Sequence, residues 1–126
     1  MIKRRRFDRL LPEHLPGAAM MTLEYKGHIA EILKAAKRIE GTVRGLSRED
    51  FLRDQARVAA AGDELASIGR AVRNLPGKIR LRYPAIDWDA WPGMAEASGD
   101  GLWDAVARRA PVFAEQVNRI LFDITD

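Results

Sequence analysis

Residues 47–75 read SREDFLRDQARVAAAGDELASIGRAVRNL and carry the clearest helix start signal in the chain. Ser47 is a typical N-cap with an acidic residue three positions later, and Leu46 and Phe51 are spaced as a hydrophobic staple. Apolar residues then recur every three or four positions, which places them on one helix face. They are Val58, Ala61, Leu65, Ile68, Val72 and Leu75. The segment predicts one long amphipathic helix, which Pro76 and the glycine after it terminate.

A similar apolar stripe precedes this segment. Thr22 is a suitable N-cap for a first helix, and Gly41 or Gly45 is a suitable end. The apolar residues between these positions are spaced by three and four, and they are Tyr25, Ile29, Ile32, Ala36, Ile39 and Val43. The pattern predicts a first long helix that buries one face.

A third stripe lies near the C-terminus, where either Ser98 or Asp100 can cap the helix. Its apolar residues are Trp103, Val106, Ala110, Phe113, Val117, Ile120 and Ile124. Pro111 lies inside this predicted helix and has no backbone N–H, so we expect a kink there.

Shorter elements are expected between the second and third stripes. Residues 78–84 alternate basic and apolar side chains, and we interpret them as a helical turn or loop because a single strand would have no partner. Residues 86–91 predict a short helix with Asp87 near its start, and residues 95–101 a flexible connection. Three long helices and a short one predict an all-α fold, an antiparallel helical bundle.

Composition excludes several classes of protein. The chain has 126 residues, of which 47% are hydrophobic and 31% charged, as expected for one folded domain. The absence of cysteine excludes disulfides and thiolate zinc sites, and the two histidines are far apart in sequence. No apolar run is long enough to span a membrane or to form a secretory signal. We therefore expect a cytoplasmic protein without a metal or cofactor.

The basic character of the chain comes from its N-terminus. Residues 1–20 hold five basic and two acidic residues, and their net charge equals the +3 of the whole chain. We interpret them as a basic N-terminal extension of a bundle domain formed by residues 21–126. A solvated tail is favoured over an arm that binds nucleic acid or an anionic surface. Met21 is an alternative translation start that would remove the extension.

Two groups of residues are candidates for binding. Gly62 and Gly69 lie one heptad apart beside Leu65 and Val72, where a second helix could approach closely, and we expect helix packing or a homodimer contact there. A basic stretch could contact RNA phosphates, although a solvated face is the simpler interpretation. This stretch consists of Arg70, Arg73, Lys78, Arg80 and Arg82.

The sequence offers no convincing catalytic residues. It has no glycine-rich phosphate loop and no pair of histidines at metal-ligand spacing. The adjacent carboxylates Asp63 and Glu64 point about 100° apart on a helix, which is typical of a solvated surface. Trp88, Trp91 and Trp103 are more typical of core or interface anchors than of base-stacking platforms.

Three segments in a fixed order nevertheless resemble a known family. They are Leu65–Ala71, Tyr83–Trp88 and Pro92–Met94, which read LASIGRA, YPAIDW and PGM. Together with the long helices, they resemble the HepT-like branch of the HEPN superfamily over residues 22–124. The resemblance implies a dimeric helical bundle, a metal-independent ribonuclease toxin, and a minimal nucleotidyltransferase antitoxin of the MntA type as partner.

The chain departs from this family where its catalytic motif should lie. The family places Arg-x(4–6)-His-x-Tyr directly after Gly-Met, whereas Met94 is followed by Ala95 and Glu96, and no histidine follows His28. Arg9 and His14 match the spacing, but they lie in the tail with a proline between them, and a match of this kind is expected by chance in a chain so rich in arginine. Histidine would move the proton of the ribose 2′-hydroxyl and arginine would stabilise the charge on the phosphate.

We therefore expect a catalytically defective HepT-like protein that acts by homodimerisation and by binding a partner such as the nucleotidyltransferase. Two alternatives stay open. One is an active ribonuclease toxin that uses residues outside the usual motif, and the other is an RNA-binding module without cleavage.

Overall fold

The computed structural model describes the backbone of residues 17–125 and the side chains of residues 25–121. This part of the chain is helical, with turns between the helices and without strands. The all-α prediction is confirmed. The α-helices are α1 (Gly17–Val43), α2 (Arg48–Arg53), α3 (Gln55–Asn74), α4 (Gly77–Arg82), α5 (Gly99–Asp104) and α6 (Ala110–Thr125).

The first helix is longer than the sequence predicts. It begins at Gly17, so the predicted start at Thr22 is wrong. Alanine and methionine residues before Thr22 favour helix and need no cap at that position. The end at Gly45 is confirmed, because Gly45 has a φ of 77°, a left-handed conformation that glycine adopts without strain. The basic run of the N-terminal extension lies outside the described residues.

The second predicted helix is interrupted. Ser47 caps α2 as predicted and accepts a hydrogen bond from the backbone N–H of Asp50 at 3.1 Å. The expectation of one continuous helix is wrong, because Asp54 adopts an extended conformation between α2 and α3. Its carboxylate accepts a hydrogen bond from the backbone N–H of Arg57 at 3.2 Å and so caps α3. Aspartate competes with the helical backbone for such donors, which favours a break at this position.

The last predicted helix contains a wider turn before its proline. Residues Ala105–Arg109 form a π-helical turn between α5 and α6, and the N–H of Ala110 donates to the carbonyl of Ala105. Pro111 has no N–H, and its ring clashes with the carbonyl of the preceding α-helical turn. The irregularity expected at Pro111 therefore takes the form of a π turn on its N-terminal side.

Residues 76–98 connect α3 to α5 through several short helical elements. The predicted helical turn at residues 78–84 is confirmed as α4, and the predicted short helix is a 3₁₀ turn at Trp88–Ala90. Residues 95–101 are more ordered than expected, because Met94–Glu96 forms another 3₁₀ turn and α5 begins at Gly99 with Ser98 as its N-cap. None of the helices in the described range is long and apolar enough to cross a membrane.

The three stripes meet in one core. Helix α1 packs against α3 and α6, and the 3₁₀ turn at Met94–Glu96 packs against α3. The Trp91 ring stacks on Phe113 with centroids 4.5 Å apart, and Trp88 meets Phe113 edge-on at 5.7 Å. The predicted stripe residues are buried except for Val43, Val58 and Trp103, which are half-buried, and Ile124, whose side chain lies outside the described residues.

Candidate functional site

The segment after Gly93 and Met94 is a compact turn rather than a catalytic loop. Met94 is buried, and its carbonyl accepts a hydrogen bond from the N–H of Ala97 at 3.1 Å. Helix α5 follows directly after Ser98. Residues 95–107 contain neither histidine nor a basic side chain. The family's arginine and histidine therefore have no counterpart in this segment.

Arg48 is a cation from outside this segment that reaches it. Its guanidinium lies 2.5 Å from the Asp100 carboxylate on α5 and 3.0 Å from the Glu49 carboxylate on its own helix. Two carboxylates compensate one guanidinium, so its charge is already neutralised within the chain. Arg48 thus joins α2 to α5 and offers little positive potential to a phosphate.

The histidine of the described region lies elsewhere. His28 is half-buried on α1 and forms no hydrogen bond or ion pair with another described residue. Helix α1, which carries this histidine, packs against α3 and α6. No hydrogen bond or ion pair joins this histidine to an arginine in the part of the chain that the structure describes.

The predicted packing face of α3, which carries Gly62, Leu65, Gly69 and Val72, is largely covered by other parts of the same chain. A Cβ on Gly69 would lie 3.1 Å from the carbonyl oxygen of Trp91 and from the Cα of Pro92. What approaches Gly69 closely is therefore a turn of the same chain, and Leu65 and Val72 are buried in the same core. A Cβ on Gly62 would meet nothing within 4 Å. Gly62 alone among the four residues leaves room for a second backbone.

The aromatic residues lie mainly in the core. Trp88 and Trp91 are 5% and 2% exposed, and the Trp88 indole N–H donates to the carbonyl of Tyr83 at 3.1 Å. Trp103 is half-buried with its ring 5.6 Å from that of Phe51. These positions agree with core anchors rather than with base-stacking platforms.

The five candidate RNA-binding residues form an uncompensated basic block. Residues 65–86 contain five basic and no acidic side chains, and we call this segment the basic block. None of its cations forms an ion pair with a described residue. Arg70 donates to the Ser67 hydroxyl at 3.2 Å, and Arg82 lies 5.9 Å from the centroid of the Tyr83 ring. Six arginines elsewhere are ion-paired, namely Arg38, Arg44, Arg48, Arg57, Arg108 and Arg109.

An acidic block follows the basic block directly, and the sequence reasoning above did not single it out. Residues 87–107 contain five acidic and no basic side chains. Three of them pair with cations outside both blocks, and these are Asp87, Asp100 and Asp104. The other two, Asp89 and Glu96, form no ion pair with a described residue. The signal was present in the sequence as two adjacent runs of opposite charge.

The two blocks meet at a surface depression of about 610 Å³, which we call the α4 depression. Its lining includes Arg80 and Leu81 from α4 and Asp87 and Asp89 from the acidic block. Leu81 is 81% exposed. A smaller depression of about 280 Å³ shares Asp87 and includes Val112, which is 56% exposed.

The described residues hold no cluster of three histidine, cysteine, aspartate or glutamate side chains that could bind a metal ion.

Burial raises the pKa of Tyr25, the nearby Tyr83 raises it further, and Arg82 opposes both effects. The Tyr25 hydroxyl is buried without a hydrogen-bond partner among the described residues.

Three curated proteins resemble the chain. One named "Putative RNase" from Caldanaerobacter subterraneus subsp. tengcongensis is 28% identical over 102 residues, which are 75% of this chain and 91% of that protein. Another of the same name from Methanocaldococcus jannaschii is 24% identical over 109 residues, covering 80% and 90%. "Probable ribonuclease HepT" of Thermococcus cleftensis is 32% identical over 68 residues, covering 54% and 62%. No family model and no solved structure matches the chain.

Proposed function

We propose that this chain, a member of the HepT-like branch of the HEPN superfamily, has lost ribonuclease activity and acts by binding partners. The partners are a second copy of the chain and a minimal nucleotidyltransferase of the MntA type. In this proposal the chain belongs to a toxin–antitoxin module in the cytoplasm, without a metal or cofactor.

The loss of catalysis rests on one observation. Residues 95–107, after Gly93 and Met94, carry no histidine and no basic residue. The arginines that pair with this segment are bound by carboxylates, Arg48 by two of them and Arg108 by Asp104. Metal-independent cleavage of RNA needs a group that moves a proton near neutral pH and a cation that stabilises the phosphate. Neither group is available in this segment.

The binding role is supported by what the surface retains. The basic block carries five charges that no described carboxylate compensates, and it borders two depressions that contain Leu81 and Val112. The alternative of an RNA-binding module rests on the same basic block.

An RNA cleavage assay tests the loss of catalysis. The purified chain is incubated with single-stranded RNA and with tRNA, and both are expected to stay intact. Cleavage that persists through extensive purification and disappears in His28→Ala or His14→Ala would show an active ribonuclease with a non-standard site. A Lys34→Glu variant, altered at an exposed position on α1, serves as the matched control for preparation and folding.

Co-purification tests the protein partner. The full chain is co-expressed with a minimal nucleotidyltransferase of the MntA type, and we expect a stable complex in size-exclusion chromatography. Separate elution of the two proteins at micromolar concentration would contradict this part of the proposal.

A further inference from the structure

We propose that helix α4 is a docking site for an acidic segment of a partner protein, in which an apolar side chain lies among carboxylates. The contact centres on Leu81. This inference rests on the partner binding in the proposed function and deepens it, because it names the surface and the chemistry of what binds there. It does not depend on which protein carries the segment.

Helix α4 directs a leucine at solvent. Successive residues of an α-helix are about 100° apart, so Leu81 lies about 200° from Ile79, on the opposite side of α4. Burial agrees with this geometry, because Ile79 is 0% exposed and Leu81 is 81% exposed. Pro84 and Ala85, directly after the helix, are also exposed. The fold anchors α4 through Ile79 and leaves Leu81 for another molecule to cover.

Cations surround this leucine. Lys78, three positions earlier, is its neighbour on the helix surface, and Arg80 and Arg82 flank it at about 100° on either side. None of the three cations forms an ion pair with a described residue. Arg82 lies 5.9 Å from the centroid of the Tyr83 ring, a contact that leaves its charge uncompensated. An apolar centre with a polar rim is the usual anatomy of a protein interface, and here the rim has one sign of charge.

The sign of this rim selects an acidic partner. The basic block, residues 65–86, contains five basic and no acidic side chains. Interfaces pair a positive patch with a negative one, and guanidinium groups form strong charge-assisted hydrogen bonds with carboxylates. Carboxylates alone would leave Leu81 uncovered, so the complementary segment carries an apolar side chain as well.

A nucleic acid fits the same surface less well. The carboxylate of Asp89 lines the α4 depression together with Arg80 and Leu81, and it forms no ion pair with a described residue. RNA carries a charge at every phosphate, whereas a polypeptide can place an uncharged residue opposite Asp89. The indole of Trp88 is buried, and its N–H donates to the carbonyl of Tyr83, so it offers no platform for a base.

An anionic membrane is also a poorer match. A helix that lies on a membrane buries an apolar face along its length. Helix α4 has six residues, and Leu81 is its one exposed apolar side chain. A single leucine fits a small apolar contact on a protein better than a lipid surface.

Peptide binding to the full chain tests the proposal. The probe is a fluorescently labelled peptide of glutamates with one central leucine, and its control has serine in place of the leucine. We expect the leucine peptide to bind about tenfold more tightly, because only it can cover Leu81. Both affinities should fall as salt is raised. Equal affinities of the two peptides, or no binding of either, would overturn the proposal.

Variants of α4 assign the two parts of the contact. Leu81→Ser is expected to lower the affinity for the leucine peptide to that for the serine peptide and to leave the latter unchanged. Lys78→Glu should weaken both peptides by about tenfold. Lys34→Glu is the matched charge reversal at an exposed, unpaired position of α1, and it should change neither affinity. An equal loss in Lys34→Glu and Lys78→Glu would mean that net charge alone binds the peptide, and would overturn the site.

Further outcomes separate this inference from its competitors. Single-stranded RNA that binds more tightly than the leucine peptide, and is released by Lys78→Glu but not by Leu81→Ser, would overturn it in favour of a nucleic-acid surface. Binding to phosphatidylserine vesicles in place of the peptide would overturn it in favour of a membrane surface. Circular dichroism verifies that every variant keeps its helicity.

Failure of this inference is distinguishable from failure of the proposed function. A complex with the nucleotidyltransferase that survives Leu81→Ser and Lys78→Glu, formed by a chain that binds neither peptide, would overturn the α4 site and leave partner binding intact. Peptide binding that responds to both variants, by a chain that forms no such complex, would support the site and contradict the nucleotidyltransferase as partner.

Discussion

The backbone of Trp91 lies so close to Gly69 that a Cβ at position 69 would be 3.1 Å from the Trp91 carbonyl oxygen. The neighbouring atoms cannot move easily, because Pro92 is rigid and the Trp91 ring is stacked on Phe113. This contact fixes the turn before Met94 on α3. The first prediction follows from it.

Gly69→Ala is expected to destabilise the chain by about 1–3 kcal/mol, the cost of overpacking, despite the higher helix propensity of alanine. Gly62→Ala is the matched control in the same helix, where a Cβ would meet nothing within 4 Å. It should stabilise the chain by up to about 1 kcal/mol. Urea unfolding followed by circular dichroism measures both. Equal effects of the two substitutions would mean that the turn does not press on α3.

Asp54 provides a second prediction, because it caps α3 at a position where the sequence alone indicates a continuous helix. Asp54→Ala removes the hydrogen bond to the Arg57 N–H and the ion pair with the Arg57 guanidinium at 3.0 Å. We expect a loss of about 1 kcal/mol, typical of an N-cap. Asp63→Ala, an exposed carboxylate inside α3, should change the stability by much less. A similar loss in both variants would contradict the capping role.

The N-terminal extension provides a third prediction. Helix α1 begins at Gly17, inside the extension of residues 1–20. We expect removal of residues 1–16, the part that precedes this helix, to leave the bundle folded. The melting temperatures of the two chains should agree within a few degrees. A drop of more than about 10 °C would correspond to over 1 kcal/mol and would mean that the extension packs on the core.

The sequence predicts the long helices well because their apolar periodicity is a local property. The stripes that begin at Tyr25, Val58 and Trp103 meet in one core, as expected. The break at Asp54 was missed, since aspartate is compatible both with the surface of a helix and with a cap. The π turn before Pro111 was expected only as an irregularity, because a proline shows where a helix must adjust but not how.

The site was harder to predict because it depends on contacts between distant residues. Periodicity places Gly69 on a face that admits close approach, but the approaching group is 22 residues further along the chain. The two charged blocks are visible in the sequence, whereas the pairing of Asp100 with Arg48 and of Asp87 with Arg109 is not. Which charges stay uncompensated, and therefore available to a partner, follows only from the fold.

Tyr25 provides the last prediction, which concerns pH. Its hydroxyl is buried at the start of the α1 stripe, and burial raises its pKa above the ordinary value of 10.0. A raised pKa means that the folded state holds the proton more tightly than the unfolded state. The contribution of Tyr25 to the free energy of unfolding is therefore fully present below pH 10 and is lost as the pH rises above 10. Tyr25→Phe removes this titration.

Urea unfolding of both chains at pH 7 and above pH 10 measures the effect. The decline in stability should be smaller in Tyr25→Phe than in the wild type. At pH 7 the variant should be as stable or more stable by about 1 kcal/mol, because the hydroxyl is buried without a hydrogen-bond partner among the described residues. Equal alkaline declines in the two chains would mean that Tyr25 reaches solvent before it ionises, and that the N-terminal part of α1 opens on its own.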